Sequence, residues 1–170
     1  MTTEDKKEKI EQPSNLFMKI TLRTATEVDK AFCQQVHHEA YQDVVTRQFG
    51  EWNEEKSDWF FEQRWASLQC EVVLLDGIPV GCFSRQLNAD HISIDEVEVL
   101  PAYQNNGIGT ELVRRLQEVA MKLGVPVRLR VLKENIAQQL YKRLGFVVTG
   151  ETDTHKLMEW TAQQDIRETQ

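Results

Sequence analysis

Hydrophobic positions along the chain switch between strand-like and helix-like spacing, and each switch marks an element. Residues 18–23 read as a first strand. A helix follows, capped at Thr24 or Thr26, with Val28, Ala31, Phe32, Val36 and Ala40 on one side to about residue 46 and Gly50 as its stop. A second helix spans about 54–68, with Phe61, Trp65 and Leu68 at i, i+4 and i+7. The period then falls to two. Residues 71–75 and 80–86 are strands around an Asp76-Gly77 turn, with Pro79 delaying the second, and 91–100 is a third strand. Residues 107–123 carry one stripe of Ile108, Leu112, Val113, Leu116, Val119, Ala120 and Leu123, stopped by Gly124. A short strand at 127–132 comes next. Asn135 then caps a helix carrying Ala137, Leu140, Tyr141 and Leu144 that ends at Gly145, and strands at 146–149 and 155–161 close the pattern. Trp59, Trp65 and Trp160 read as core.

The order β-α-α-β-β-β-α-β-α-β-β predicts a mixed α/β (α+β) single domain with a largely antiparallel start and one parallel crossover around 107–123. The chain has 170 residues, enough to bury a core without staples. The domain is placed at 18–162, between a charged N-terminal tail at 1–17, read as flexible and without the apolar run of a signal peptide, and a C-terminal tail at 163–170. The net charge of −7 argues against a general nucleic-acid binder. No stretch is apolar enough for a membrane helix. Three cysteines, Cys33, Cys70 and Cys82, cannot form a closed disulfide set, and Cys70 and Cys82 are too far apart in sequence for a C-x-x-C pair. A reducing, cytoplasmic setting follows.

The most informative segment is 92–110, a strand running into a Gly-, Asn- and Gln-rich loop that opens a helix. Free N–H groups at a helix start suit a phosphate, and Gly107 and Gly109 let the backbone approach one. A Rossmann fingerprint fails, since Leu112 stands where a glycine is needed, and no P-loop occurs. In the strand, the apolar alternation changes parity between Ile94 and Val97, so a one-residue bulge at Asp95-Glu96 would restore a single apolar face; burial on both faces is the alternative.

Gln104-x-x-Gly107-x-Gly109 resembles the Q/R-x-x-G-x-G/A pyrophosphate loop of the GNAT superfamily of N-acetyltransferases. The run from Asn135 through Ala137, Leu140, Tyr141 and Gly145 to Phe146 resembles that family's second signature, with the asparagine one residue closer to the alanine. The resemblance implies a mixed sheet of six to seven strands with a splayed central strand and about four helices. It implies acetyl-CoA as cofactor, with Val97, Glu98 and Val99 pairing with the pantetheine arm through their backbone. Amides of Gln104, Asn105, Asn106, Gly107, Ile108, Gly109 and Thr110 would hold the pyrophosphate, and Asn135, Ala137 and Tyr141 would lie near the thioester end. Many members carry Arg or Lys in the loop; here it reads Gln-Asn-Asn, leaving charge compensation to backbone dipoles and to Lys133, Lys142 or Arg114.

Acyl transfer to an amine needs a base, an oxyanion donor and an acid for the departing thiolate. By the resemblance Tyr141 is the acid. Glu96 is the expected base, with Glu98 and Asp95 in reserve. Phe49 and Trp52, in the loop expected to cover the acceptor cleft, and His155, on a late strand, are candidate acceptor contacts. No metal site is expected: there is no H-E-x-x-H, and His37 and His38 face different directions on a helix. The expected activity is direct transfer of acetyl to a small amine or peptide amine in a ternary complex. A non-catalytic CoA-binding sensor or interaction module is the alternative, another acyl donor such as succinyl-CoA remains open, and a homodimer is possible on the family pattern.

Overall fold

The computed structural model describes residues 18–67 and 69–162. The tails expected at 1–17 and 163–170, and Leu68, lie outside the described residues. The strands are β1 (Ile20–Thr24), β2 (Cys70–Leu75), β3 (Ile78–Leu87), β4 (Ile92–Val99), β5 (Val127–Leu132), β6 (Val147–Glu151) and β7 (His155–Trp160). The helices are α1 (Lys30–Phe49), α2 (Glu54–Ser67), α3 (Ile108–Leu123) and α4 (Ala137–Arg143). They build a seven-stranded sheet in the order β1-β2-β3-β4-β5-β7-β6. Every neighbouring pair is antiparallel except β4 and β5.

The parallel pair defines the molecule. β4 and β5 hold register only from Ile92 opposite Val127 to Ile94 opposite Leu129. Beyond Ile94 the strands part, and the rest of β4 keeps β3 as its sole strand partner. The cause is the expected bulge. Ser84 pairs with Glu96 and Arg85 with Ile94, which leaves Asp95 as the extra residue of β4. Ile92, Ile94, Val97 and Val99 then face one side and Glu96 and Glu98 the other. On the β3 flank the backbones come so close that a Cβ at Gly81 would collide with the Glu98 carbonyl oxygen.

The two faces of the sheet differ. α3 covers one, with Ile108, Leu112, Val113, Leu116 and Ala120 buried against Val73, Phe83, Ile92, Ile94, Val127, Leu129 and Val131. Burying a Leu or Val side chain fully contributes about 1.5–3 kcal/mol, so this stripe anchors the fold. Val119 and Leu123, expected in the stripe, are exposed at its margin. α1 and α2 cover the other face, where Val36, Phe61 and Val72 pack with Cys33 and Cys82.

Local chemistry accounts for the helix ends. A 3-10 turn at Glu27–Asp29 leads into α1, with Thr26 and Asp29 capping reciprocally. Asp29 also takes both Arg23 guanidinium nitrogens at 2.8 Å, which holds its carboxyl well below the usual range, aided by the Thr26 amide. The buried face of α1 is the expected one at Val36 and at Phe32, which packs against the same cluster, but not elsewhere. Val28 and Ala31 are exposed, and Cys33, Val36, His37 and Val44 are buried. The expectation gave all weight to apolar residues, whereas this helix buries a cysteine and a histidine. Pro79 does not delay β3. The strand starts at Ile78, and a register shift between Val73 and Leu74 leaves Val80 as the extra residue beside the proline. Trp59 is no core residue but is exposed on α2 beside exposed Phe60, while Trp65 and Trp160 are half-buried against the two clusters.

Candidate active site

The loop after β4 is built to present backbone donors. Gln104 Nε2 donates to the Val99 carbonyl at 2.8 Å and pins the loop to the strand. Asn105 (φ 62°) and Gly107 (φ 81°) adopt left-handed conformations that turn the chain into α3. Among the described residues, none of the backbone N–H groups of 105–110 finds a partner within the protein, and α3 has no side-chain cap. A Cβ at Gly107 would meet open space, so that side of the loop is free for an anion. Gly109 has another reason. Its Cβ would press on Leu140 at 3.2 Å, so this glycine lets α4 pack against the start of α3 rather than clearing room for a ligand. Of the expected compensating cations, Lys133 is engaged by Glu151 at 3.3 Å, while Lys142 and Arg114 are exposed.

Tyr141 on α4 is buried and stands edge-on to Phe146, with ring centroids 5.7 Å apart. Burial, and then the charge of Glu96, push its phenol up to about 12. It is therefore a protonated donor at neutral pH. Asn135 is used locally: its Oδ1 accepts from the Ala137 amide at 2.9 Å and starts α4, as expected for a cap.

Glu96 faces α1 and α2. Its Oε1 pairs with Arg64 Nη1, whereas Oε2 is buried without a partner among the described residues. Arg64 Nη2 continues to His37 Nδ1 at 2.9 Å, and that nitrogen lies 2.8 Å from Glu98 Oε1. Burial, then the adjacent Glu98, hold Glu96 well above the usual carboxylate range; Arg64 offsets part of this. Burial raises Glu98 as well. Like charges this close do not both ionise, so the pair shares a proton. Arg64 lowers both carboxyls, and the contact between the two raises Glu96 and lowers Glu98, so Glu96 is the more strongly raised of the pair. Burial, then Arg64, lower His37 to about 4, so the imidazole is neutral. The Tyr41 ring lies tilted against His37, centroids 5.0 Å apart, and its phenol is raised by the charge of Glu96 first and by burial second.

This network of Arg64, His37 and Tyr41 was not foreseen. Its sequence signal is the i, i+4, i+8 spacing of Cys33, His37 and Tyr41, a polar line inside a buried helix face. Asp95, the reserve base, is the bulged residue and is contacted by Gln86 at 3.2 Å.

The expected acceptor contacts are less unified. Trp52 stands edge-on to His38 at 5.6 Å, and His38 binds Asp58 at 2.6 Å on the outer surface of the helix pair. Phe49 is exposed. His155 is half-buried, with Nδ1 2.7 Å from Thr154 Oγ1. Gln48 Nε2 donates to the Thr154 carbonyl at 2.8 Å, which ties the end of α1, next to Phe49, to the turn that carries His155.

A strand splayed after a bulge, a free-amide loop entering a helix, and a buried carboxylate within electrostatic reach of a buried phenol are now all in place. The family model of the acetyltransferase (GNAT) family matches residues 35–146. The chain belongs to the GNAT acetyltransferase family. Acetyl-CoA is the cosubstrate of that family. Solved GNAT structures share the fold. PaiA N-acetyltransferase from Thermoplasma acidophilum, crystallised with coenzyme A, has a TM-score of 0.70 at 17% identity, with 85% of this chain and 99% of that one covered. The ribosomal-protein-S18-alanine N-acetyltransferase from Escherichia coli gives 0.61 at 20% identity, covering 89% and 99%. An acetyltransferase from Thermus thermophilus gives 0.66 at 17% identity, covering 85% and 97%. Comparison with curated protein sequences gives no significant match. The GNAT model covers α1 from residue 35 onward and all of α2, so His37, Tyr41 and Arg64 lie within it.

Proposed function

We propose that this GNAT protein transfers acetyl from acetyl-CoA to a primary amine by direct attack in a ternary complex, with Glu96 as base and Tyr141 as acid. The observation that carries the reading is the unpartnered Oε2 of buried Glu96, whose charge reaches Tyr141. In the reaction the amine nitrogen forms a bond to the acetyl carbon. The carbon–sulfur bond breaks, the amine proton passes to Glu96 directly or through water, and the thiolate takes the phenolic proton. The two steps are coupled. Part of what holds the phenol proton is the negative charge of Glu96, and protonating Glu96 removes it.

The free amides of residues 105–110 would hold the pyrophosphate, aided by Lys142 and Arg114, with Gln104 fixing the loop through its side chain. Residues 97–99, which have lost β5 as a neighbour, would pair with the pantetheine arm. Ala137 and the remaining amide hydrogens of Asn135 would border the thioester. Phe49, Trp52 and His155 would form the acceptor wall, and paired carboxyls behind it suit a cationic small amine or peptide amine. Exposed Trp59 and Phe60 would suit a homodimer contact, and three free cysteines a reducing, cytoplasmic setting.

One observation favours a second reading, a CoA-binding module without turnover: Arg64 already occupies Oε1 of Glu96. Incubating the protein with acetyl-CoA and a panel of primary amines, with acetylated products read by mass spectrometry, separates the two. Amine-dependent product that falls sharply in Tyr141→Phe supports catalysis. Saturable CoA binding with no product from any amine supports the module. Running succinyl-CoA in parallel fixes the acyl group.

A further inference from the structure

Cys33, Cys70 and Cys82 come from α1, β2 and β3, yet their sulfurs all lie within 4.8 Å of one another. Sequence distance hides this. Val72 pairs with Cys82, and Cys70 with Ser84, so the two strand cysteines are diagonal neighbours on the sheet face that α1 covers. Cys82 stands opposite Glu98 in the next ladder. Cys33 is one helical turn before His37. Buried cysteines often serve as small hydrophobes. Here, however, they border a cavity of about 40 Å³ that is also lined by His37, Glu96 and Glu98. A purely apolar packing site would not place carboxyl and imidazole groups on the same cavity.

We propose that Cys33, Cys70 and Cys82 form a zinc site, with the Glu98 carboxylate as its fourth ligand. Tetrahedral zinc with Zn–S bonds of about 2.3 Å places its sulfurs roughly 3.8 Å apart, so the trio needs to contract by no more than about 1 Å, and Glu98, which borders the same cavity but clusters with His37 and Glu96, must turn toward the sulfurs. Charge selects a divalent ion over Cu(I). Three thiolates and the Glu98 carboxylate carry −4; a dication leaves −2, beside Arg64, whereas a monocation leaves −3 in the same buried pocket. On binding, each thiol loses its proton to solvent, and Glu98 binds as the carboxylate. His37, in contact with Glu98 Oε1, orients the carboxylate from behind. Zinc would thereby fix the charge of the residue beside Glu96 without touching acetyl-CoA, and the site stands independently of the acetyl-transfer reading.

The test is to titrate the full-length chain, reduced and stripped with chelator, first with Co²⁺ and then with Zn²⁺. The expected result is a sulfur-to-cobalt charge-transfer band that saturates at one equivalent and is displaced by one equivalent of zinc. Loss of even an outer-shell partner costs roughly 10–100-fold in metal affinity, so Cys70→Ser and Cys82→Ser should each weaken zinc binding at least ~100-fold. Cys70 is half-exposed, and a thermal melt checks that its variant is folded. Glu98→Gln should keep the charge-transfer band but weaken zinc by ~10-fold or more. Absence of the band, zinc affinity that survives both serine variants in folded protein, or tight capture of Cu(I) with no zinc affinity would each overturn the assignment.

Discussion

The α3 face and the α1/α2 face of the sheet are made from the same strands, residue by alternate residue, and follow opposite rules. Val73, Phe83, Ile94 and Val97 point to α3 and pack into its apolar cluster, with the Arg85 guanidinium over the Phe83 ring at 5.3 Å. Val72, Cys82, Ser84, Glu96 and Glu98 point the other way and meet His37 and Arg64. Burying carboxyls and a histidine costs free energy unless they are paired. A well-packed apolar face opposite can carry that cost, and the bulge at Asp95 is what assigns each side chain of β4 to its face. On β4 the buried carboxyls lie on one side and the apolar packing on the other, so on either side of the bulge substitutions two positions apart should have similar effects and substitutions one position apart opposite ones.

The largest expected effect is on the chemical side. Removing a general base costs typically 10²–10⁴-fold, so Glu96→Gln should lower kcat by roughly that much while leaving the acetyl-CoA Kd within about 2-fold. Equal losses in both would make Glu96 a structural group. Tyr141→Phe should cost about 10²-fold in kcat, again with little change in cofactor affinity by calorimetry; matching losses would assign it to packing beside Phe146. On the apolar side, Leu112→Ala should destabilise by about 2–5 kcal/mol in a denaturant titration yet leave kcat unchanged at temperatures where the variant is folded. A comparable loss of kcat would break the division between the faces. The smallest effect is a shift of pH profile. The base must be ionised, so kcat/KM should rise with pH through the elevated range of Glu96. Arg64 lowers that range, so Arg64→Gln should move the rise to higher pH. A profile that does not move would uncouple Arg64 from the base.

The apolar face was readable in the sequence, and the polar face only in part. The α3 stripe, the Asp76-Gly77 turn, β5 at Val127–Leu132 and the bulge in β4 all follow from local periodicity, because apolar burial is what periodicity reports. Glu96 and Tyr141 were legible as candidates, the one from its place on the strand and the other from the family signature. Arg64 and His37 were not, since their partners lie on elements that are distant in sequence. The α1 face was misread in part for a related reason: Val36 is buried as expected, but Val28 is apolar yet exposed, and His37 is polar yet buried. The cysteine trio shows the limit most plainly. Twelve residues separate two of its members, and only the β2–β3 register makes them neighbours.

Everything proposed for catalysis depends on the loop and the splayed strand being an acetyl-CoA site, and calorimetric titration with acetyl-CoA tests this without knowledge of the acceptor. Wild-type protein should show saturable one-to-one binding, with free CoA also bound and ATP not. Gly107→Val places a branched side chain at a φ of 81° in the open space proposed for the anion, and should abolish binding in a folded protein. A flat wild-type titration at millimolar acetyl-CoA, or unchanged affinity in folded Gly107→Val, would contradict that assignment.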